Sequence, residues 1–445
     1  MSFLSEERFL EYFPQIEMSK EDFTKKFRIT YKNNPTLREI FDRHNIENKK
    51  SVIKKFDDQR YRDRQKVIDY FYDVIITNRH KYLMKFYQSY FSFANPFDLK
   101  WNVNPLTKQS GLDKNTLKEF NHPDLTKDRR QKLLDEWLQR PLETVSVQKN
   151  DAMRILIRNL NYLDILHTTK ITNTSKCRVS FWQTFINVYN HLSLEDRFFA
   201  PSSIGLYLRE KQGEQINYNN FFYLFQQYQP KASIFNPFSI YWILEHYFQG
   251  ESLFTPVLSW NSYLAAFFHS NYKHYVGVDV MASVCKRADF LTEYYNKIKP
   301  SLSSKTVDIW CQRSETLLDN PKFMSKYREF FDSVLWCPPY FDMEIYTGID
   351  QSVNLYPNYE QWLEQYFEAT VDLCYRVTRP GAIIGIIMND YYTLDGKFYP
   401  LIRDFNQIAV DYFDLLQIVE LVNRTSPLRV NKKNRTEKLF LYRRT

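Results

Sequence analysis

The sequence predicts an α/β protein, with a doubly wound, mostly parallel sheet in its C-terminal half and a mostly helical N-terminal region before it. Three observations lead there. After Pro230, short apolar runs of strand length alternate with stretches of helical spacing. Several of those runs are apolar without interruption, that from Ala382 to Met388 above all, as in strands covered on both faces. Before Gly111 the chain contains no glycine, and its apolar residues are separated by charges in the helical manner.

Composition sets the bounds. At 445 residues the chain has room for two or three domains, and a 44% hydrophobic content excludes global disorder. A net charge of +8 fits a polyanionic partner. The five cysteines (177, 285, 311, 337 and 374) are scattered, with no CxxC spacing, so neither a zinc site nor a disulfide framework is expected, and a reducing compartment is. The eight histidines form no ligand pair. No window of 18 apolar residues exists, and Met1-Ser2-Phe3-Leu4-Ser5-Glu6-Glu7 does not resemble a signal peptide. The expectation is a soluble protein without a membrane partner, cytoplasmic or nuclear. The abundance of Phe, Tyr, Asn, Lys and Ile suggests an AT-rich gene, of a kind that viruses also encode.

The boundaries expected are a helical region over 1–93, a helical and loop-rich region over 94–230, and the α/β domain over 231–445. Within the first, 45–81 interleaves Lys49, Lys50, Lys54, Lys55, Arg60, Arg62, Arg64 and Lys66 with Phe56, Tyr61, Tyr70 and Phe71. Cations with aromatics suit nucleic acid. Asp57, Asp58, Asp63 and Asp69 alternate with them, which equally suits a solvated amphipathic helix. Residues 94–130 hold Asn95-Pro96, Asn104-Pro105, Ser110-Gly111 and His122-Pro123, all turn signals. Trp101 and Trp137 are expected in the core. Helical spacing returns over 131–230, which ends in the aromatic block from Tyr218 to Tyr228.

In the α/β half a helix is expected over 240–248, closed by Gly250. Strands are expected over 252–258, 274–280, 306–311, 333–336, 382–388, 413–421 and 438–442. Helices are expected over 261–269, from about 281 to 297, and over 359–376, the last stopped by Thr378-Arg379-Pro380-Gly381. A basic loop carrying Arg424, Arg429, Lys432, Lys433 and Arg435 lies between the last two strands.

One stretch organises the rest: Ser333-Val334-Leu335-Trp336-Cys337-Pro338-Pro339-Tyr340-Phe341. An apolar strand breaks at two prolines, which cannot continue a central strand, and ends in aromatics. Ligands of open α/β sheets sit at such strand ends. An aromatic there can grip a flat ring, with stacking worth ~1–3 kcal/mol per base.

This stretch resembles motif IV of the amino-group (adenine-N6 or cytosine-N4) DNA methyltransferases of phage and viral kind, and the likeness covers about half the chain. The resemblance implies a Rossmann-like methyltransferase sheet, S-adenosylmethionine as cofactor, and DNA as partner. It makes Cys337, Pro338, Pro339 and Tyr340 the catalytic elbow, with Tyr340 stacking on a flipped base and Cys337 in the position that receives the base's amine. Phe235 and Pro237, in Phe235-Asn236-Pro237-Phe238, line the methionine end. Thr255, Ser259 and Asn261 fall in motif I, normally Asp-Pro-x-x-Gly-x-Gly. Asp279 ends the second strand and binds the ribose hydroxyls; helix capping is its other reading. Gln312, Ser314 and Glu315 lie at the adenine edge.

Two positions depart from the family. Cys337 replaces Asn, Asp or Ser, and a thiol is a poor acceptor. Motif I holds Ser259-Trp260-Asn261-Ser262 and no glycine, where the family's backbone must approach the cofactor closely. The expectation is a DNA adenine-N6 methyltransferase-like protein with weak or lost activity. The other reading is a non-catalytic pseudo-methyltransferase, a nucleic-acid-binding or structural subunit of a viral particle or methyltransferase complex, with a protein partner at its N-terminal half. A third reading, Cys337 as nucleophile toward a pyrimidine, lacks a neighbouring cation in sequence to activate it.

Overall fold

The computed structural model describes residues 6–12, 18–25, 72, 103–107, 113–147, 152–161, 164–165, 168–170, 232, 234–346, 348–392, 396–423 and 435–445. The chain divides into two compact units, one of residues 1–94 with 166–232, the other of 95–165 with 233–445. The basic stretch at 45–81, apart from Tyr72, lies outside the described residues, as do Trp101, the block at 218–228, and Arg424, Arg429, Lys432 and Lys433. In the first unit a helix spans Glu6–Tyr12. Phe23 is buried and meets Tyr72 edge-on at 5.6 Å, while the Tyr72 hydroxyl donates to the Met18 carbonyl at 2.8 Å.

The second unit is the α/β domain. In chain order it contains strand β1 (Val103–Thr107), helices α1 (Lys114–Phe120) and α2 (Lys127–Gln139), strand β2 (Glu143–Val147) and helix α3 (Ala152–Leu160). Helix α4 (Pro237–Tyr247), strand β3 (Ser252–Thr255), helix α5 (Ser262–His269), strand β4 (His274–Asp279), helix α6 (Ala282–Ile298) and strand β5 (Thr306–Cys311) follow. Then come helix α7 (Pro321–Tyr327), strand β6 (Phe331–Trp336), helix α8 (Ala369–Val377), strand β7 (Thr378–Met388), a small ribbon of β8 (Tyr391–Tyr392) and β9 (Phe398–Tyr399), helix α9 (Leu401–Ala409), and strands β10 (Asp414–Asn423) and β11 (Arg435–Arg443).

The large sheet has the order β1-β2-β10-β11-β7-β6-β3-β4-β5. From β7 to β5 every neighbour is parallel. Strand β11 runs antiparallel to both β7 and β10, so it alone is reversed within the seven strands from β10 to β5. This is the Rossmann-like, doubly wound sheet that the alternation predicts, with the first strand of the α/β half at its centre and a crossover to either side.

Helices cover both faces. On one, Phe254, Trp336, Ile384, Ile386 and Phe440 pack with Trp137, Phe323, Trp362, Phe367 and Phe405 in a single buried cluster. On the other, Gly385 leaves no room for a side chain: a Cβ there would stand 2.7 Å from the Phe248 ring and 2.9 Å from Leu335. Helix α4 begins as its sequence dictates, with Asn236 accepting from the Phe238 N–H at 3.0 Å and Pro237 at the first position, where its missing N–H costs nothing.

The structure adjusts several expected elements. The strand expected over 252–258 stops at Thr255, because Pro256 follows and the chain then turns through three left-handed residues. The expected helix over 359–376 is continuous to Val377 but passes through a π-helical segment, Leu363–Glu368. The expected stop at Thr378-Arg379-Pro380-Gly381 already pairs as strand: Thr378 lies opposite Phe331. Strands β1 and β2 lie in a region expected to be helical and loop-rich, and α9 has no counterpart in the expectations. Among the described residues no helix is long and apolar enough to cross a membrane, and no cluster of His, Cys, Asp or Glu is disposed to hold a metal ion.

Candidate functional site

The carboxyl ends of β3, β4, β5 and β6 carry Thr255, Asp279, Cys311 and the Cys337 elbow; the segments after the first three turn into helical elements, and the elbow runs on to a short strand, Glu344–Ile345. Here an open parallel sheet leaves its crevice.

Thr255 is fully buried and its hydroxyl is paired with that of Tyr275 at 2.7 Å. The chain then passes Leu258, whose N–H donates to Asp279 Oδ2 at 3.3 Å, and enters Ser259, Trp260 and Asn261 with φ of 45°, 60° and 70°. Three successive left-handed residues, each bearing a Cβ, are costly: the left-handed region disfavours L-residues by roughly 1–2 kcal/mol apiece, with Asn the more tolerant. The turn thus has the backbone that glycine serves best, without glycine. It is held from outside. Asn161 Nδ2, fully buried 99 residues earlier in the sequence, donates to the Trp260 carbonyl at 2.8 Å, and Asn261 Nδ2 donates to the Val284 carbonyl at 3.0 Å. Asp164 adds a second tie from the same segment, through Ser283 at 2.9 Å and an ion pair with Arg287. The Trp260 ring is buried, meeting Tyr346 edge-on at 5.6 Å.

Asp279 is half-buried, and both its oxygens already accept: Oδ2 from Leu258 and Oδ1 from the Met281 N–H at 3.0 Å. The expected ribose role and the capping role are therefore compatible in one carboxylate, since an ionised carboxyl has about four lone-pair sites. Burial pushes its pKa up to about 6, against the backbone N–H groups of Met281, Leu258 and Val280, which favour the anion.

At the end of β5, Gln312 is engaged with Thr316 at 3.1 Å and Asn320 at 3.0 Å, and buried Ser314 with Thr370 at 3.2 Å. Glu315 accepts from the Tyr356 hydroxyl at 3.4 Å, and burial raises its pKa. Phe235 is half-buried and Pro237 is buried in the first turn of α4. Arg435 opens β11.

The elbow leaves β6 after Trp336. Pro338 is buried, Cys337 and Pro339 half-buried. Tyr340 is only 7% exposed. Its ring stacks on Tyr391 at 6.5 Å, and its hydroxyl turns inward to the Cys337 thiol at 3.9 Å. Burial first, then Cys337, raises the Tyr340 pKa, so this phenol stays neutral. Phe341 takes φ 32° and wedges among Tyr359, Trp362 and Tyr399. Around Cys337 stand further tyrosines absent from the sequence-based set: Tyr263 of α5, Tyr346 and Tyr366. The π-helical segment carries Tyr366. Tyr346 donates to Glu344 at 2.8 Å. A single chain gives no signal for these residues, because aromatics are plentiful throughout it.

The cofactor implied by the resemblance can be tested against these residues. At the ribose end they fit: Asp279 has acceptor capacity to spare. At the motif I turn they do not: Cβ atoms stand where glycine would leave the backbone bare, Thr255 replaces the leading acid, and Trp260 fills the turn.

No protein-family model matches the chain, and no curated protein matches it. Among solved structures, similarity runs to a SAM-dependent O-methyltransferase of Thermotoga maritima, with 10% identity over 55% of this chain and 72% of that one, TM-score 0.29. It also runs to the N-methyltransferase NodS of Bradyrhizobium japonicum, with 9% identity over 47% and 93% and a TM-score of 0.29. A candidate DNA modification methylase of Thermus thermophilus shares 18% identity over 28% of this chain and 50% of its own, TM-score 0.21. The Rossmann-like reading of the fold rests on its own strand order, with a single reversed strand among the seven from β10 to β5.

Proposed function

We infer that this chain is a methyltransferase-type protein directed at DNA, related to the adenine-N6 enzymes, whose S-adenosylmethionine-dependent activity is weakened or lost. The observation that carries the reading is the motif I turn. It keeps the left-handed backbone of a nucleotide-cradling loop at Ser259, Trp260 and Asn261, yet fills it with side chains. A glycine cradle gains affinity because backbone N–H groups reach the ligand unhindered; here a buried indole occupies the turn.

The inward set of Tyr340 favours the non-catalytic form of this reading. A ring stacked on Tyr391 with its hydroxyl against Cys337 does not offer its face to an extruded base. The protein then serves as a nucleic-acid-binding or structural subunit, with the basic residues between β10 and β11 as its DNA contacts and the N-terminal unit as the surface for a protein partner.

Calorimetry with S-adenosylmethionine on the natural chain and on Trp260→Gly tests this. No binding to the natural chain and micromolar binding to the variant is the expected result. Micromolar binding to the natural chain, with methyl transfer to adenine in duplex DNA, overturns it.

A further inference from the structure

Two of the cysteines meet beside Asp279. Asp279 and Cys311 end the neighbouring parallel strands β4 and β5 as direct register partners. Cys285, in the first turns of α6, directs its thiol to the Asp279 carbonyl at 3.4 Å, and Cys311 is the strand partner of that same Asp279. The two differ in access: Cys285 is buried and Cys311 exposed. One thiol is open to solvent, the other waits behind it, and 25 residues of chain separate them, so they are neighbours only because the sheet folds.

We propose that Cys285 and Cys311 are a peroxide-reactive thiol pair that closes into an intramolecular disulfide, joining the start of α6 to the end of β5 around Asp279. The step balances with a hydroperoxide as oxidant. The exposed Cys311 thiolate attacks one peroxide oxygen and the O–O bond breaks, giving a sulfenic acid and, with hydrogen peroxide, a hydroxide that takes up a proton as the first water. The Cys285 thiolate then attacks the Cys311 sulfur, the S–S bond forms, and hydroxide leaves to take up a proton as the second water. Two thiols lose two electrons and the peroxide gains them. Burial raises the Cys285 pKa and shields its thiol, so the exposed Cys311 is the one that meets peroxide first. The consequence is local: the Asp279 carbonyl loses its S–H donor, and the first turns of α6 are bound to the neighbouring strand. This holds whether or not the site takes a nucleoside.

The test is hydrogen peroxide titration of the reduced, full-length chain, followed by thiol counting and peptide mapping. The expected result is loss of two of the five thiols, one peptide pair linked through Cys285 and Cys311, and full recovery with dithiothreitol. In Cys285→Ser, Cys311 should instead be trapped by dimedone as the sulfenic acid. In Cys311→Ser, Cys285 should resist peroxide. Hydrogen–deuterium exchange of the oxidised wild type should slow in the first turns of α6. Retention of all five thiols in wild type overturns the proposal, and so does a link through any other pair or between chains. Because the wild-type map reads the bond directly, a variant that fails to fold leaves the conclusion intact.

Discussion

At the scale of single residues, the left-handed turn at Ser259, Trp260 and Asn261 makes the sharpest prediction. Ser259 is half-buried with φ 45°, and among the described residues no side-chain hydrogen bond of its own holds it there. Ser259→Gly should therefore stabilise the chain by about 1 kcal/mol, the relief of left-handed strain outweighing glycine's greater freedom when unfolded. A raised urea midpoint at unchanged slope would show it; a lowered midpoint would mean the turn is not strained. Asp279 gives a second prediction. Its folded pKa of about 6 lies above its ordinary 3.8, so between those values the folded state holds more protons than the unfolded. Stability contributed here is present below about pH 4 and is lost as pH rises through 6, by at most on the order of 3 kcal/mol. His269 acts with the opposite sign: burial lowers it to about 3, so acid below its ordinary 6.5 favours the unfolded chain. The difference between natural chain and Asp279→Asn cancels the histidine. Their stability gap, by urea unfolding at about pH 4.5 and about pH 7.5, should shift in favour of the variant at the higher pH; a gap independent of pH would show that Asp279 titrates normally.

At the scale of elements, what was legible followed local chemistry. The strand over 306–311 stands where the apolar run put it, and the Pro338-Pro339 pair does end β6. The helix expected over 240–248 is there, but it begins earlier, at Pro237, on an Asn236 cap. What was not legible depends on distant partners. Glu143–Val147 becomes a strand because Val419, Glu420 and Leu421 offer it a parallel edge, and nothing local in the sequence could show that. The ties from Asn161 and Asp164 to the left-handed turn and to α6 are likewise tertiary. The low-glycine turn was readable as a departure, but its retained left-handed backbone was not, since the usual signal for that conformation is glycine itself. Helix α5 shows how an element is finished from afar. Lys305 Nζ donates to the carbonyls of Phe267, Ser270 and Tyr272 at 3.1, 2.6 and 2.6 Å, closing its C-terminus, and lies 4.6 Å from the Phe267 ring centre. A cation at a helix C-terminus also complements the dipole. Lys305→Met keeps the alkyl stem and removes the donors, so it should cost about 2–4 kcal/mol, with charged hydrogen bonds worth ~1.5–3 each in favourable cases but sharing one ammonium here. Amide exchange should speed up across α5 before other helices; uniform exchange would assign the loss to global stability alone.

At the scale of the whole α/β unit, continuity in sequence and continuity in structure part company. Residues 95–165 complete a sheet whose other strands begin after 250, and their bonds to it are specific. Asn121 gives and takes a hydrogen bond with the Leu415 main chain, both at 2.9 Å, so that a side-chain amide imitates a neighbouring strand. Glu143 accepts from Tyr247 at 2.7 Å and from Gln417 at 2.5 Å. Strand β2 covers the edge of β10, and Trp137 and Leu134 enter the same buried cluster as Trp336. A chain beginning at residue 233 would retain the expected strand-helix alternation but leave β10 as a long, apolar, unpaired edge, the geometry that invites pairing between molecules. It would also leave the Trp260 carbonyl without Asn161 and Arg287 without Asp164, beside a turn that already carries backbone strain. The prediction is that residues 233–445 alone aggregate or fail to unfold cooperatively, whereas 95–165 joined to 233–445 by a flexible linker in place of 166–232 yields a monomer with a single unfolding transition. Size-exclusion chromatography with urea denaturation separates the cases. A stable monomer from 233–445 alone would show that the earlier segment decorates a self-sufficient fold and that the strained turn needs no outside support.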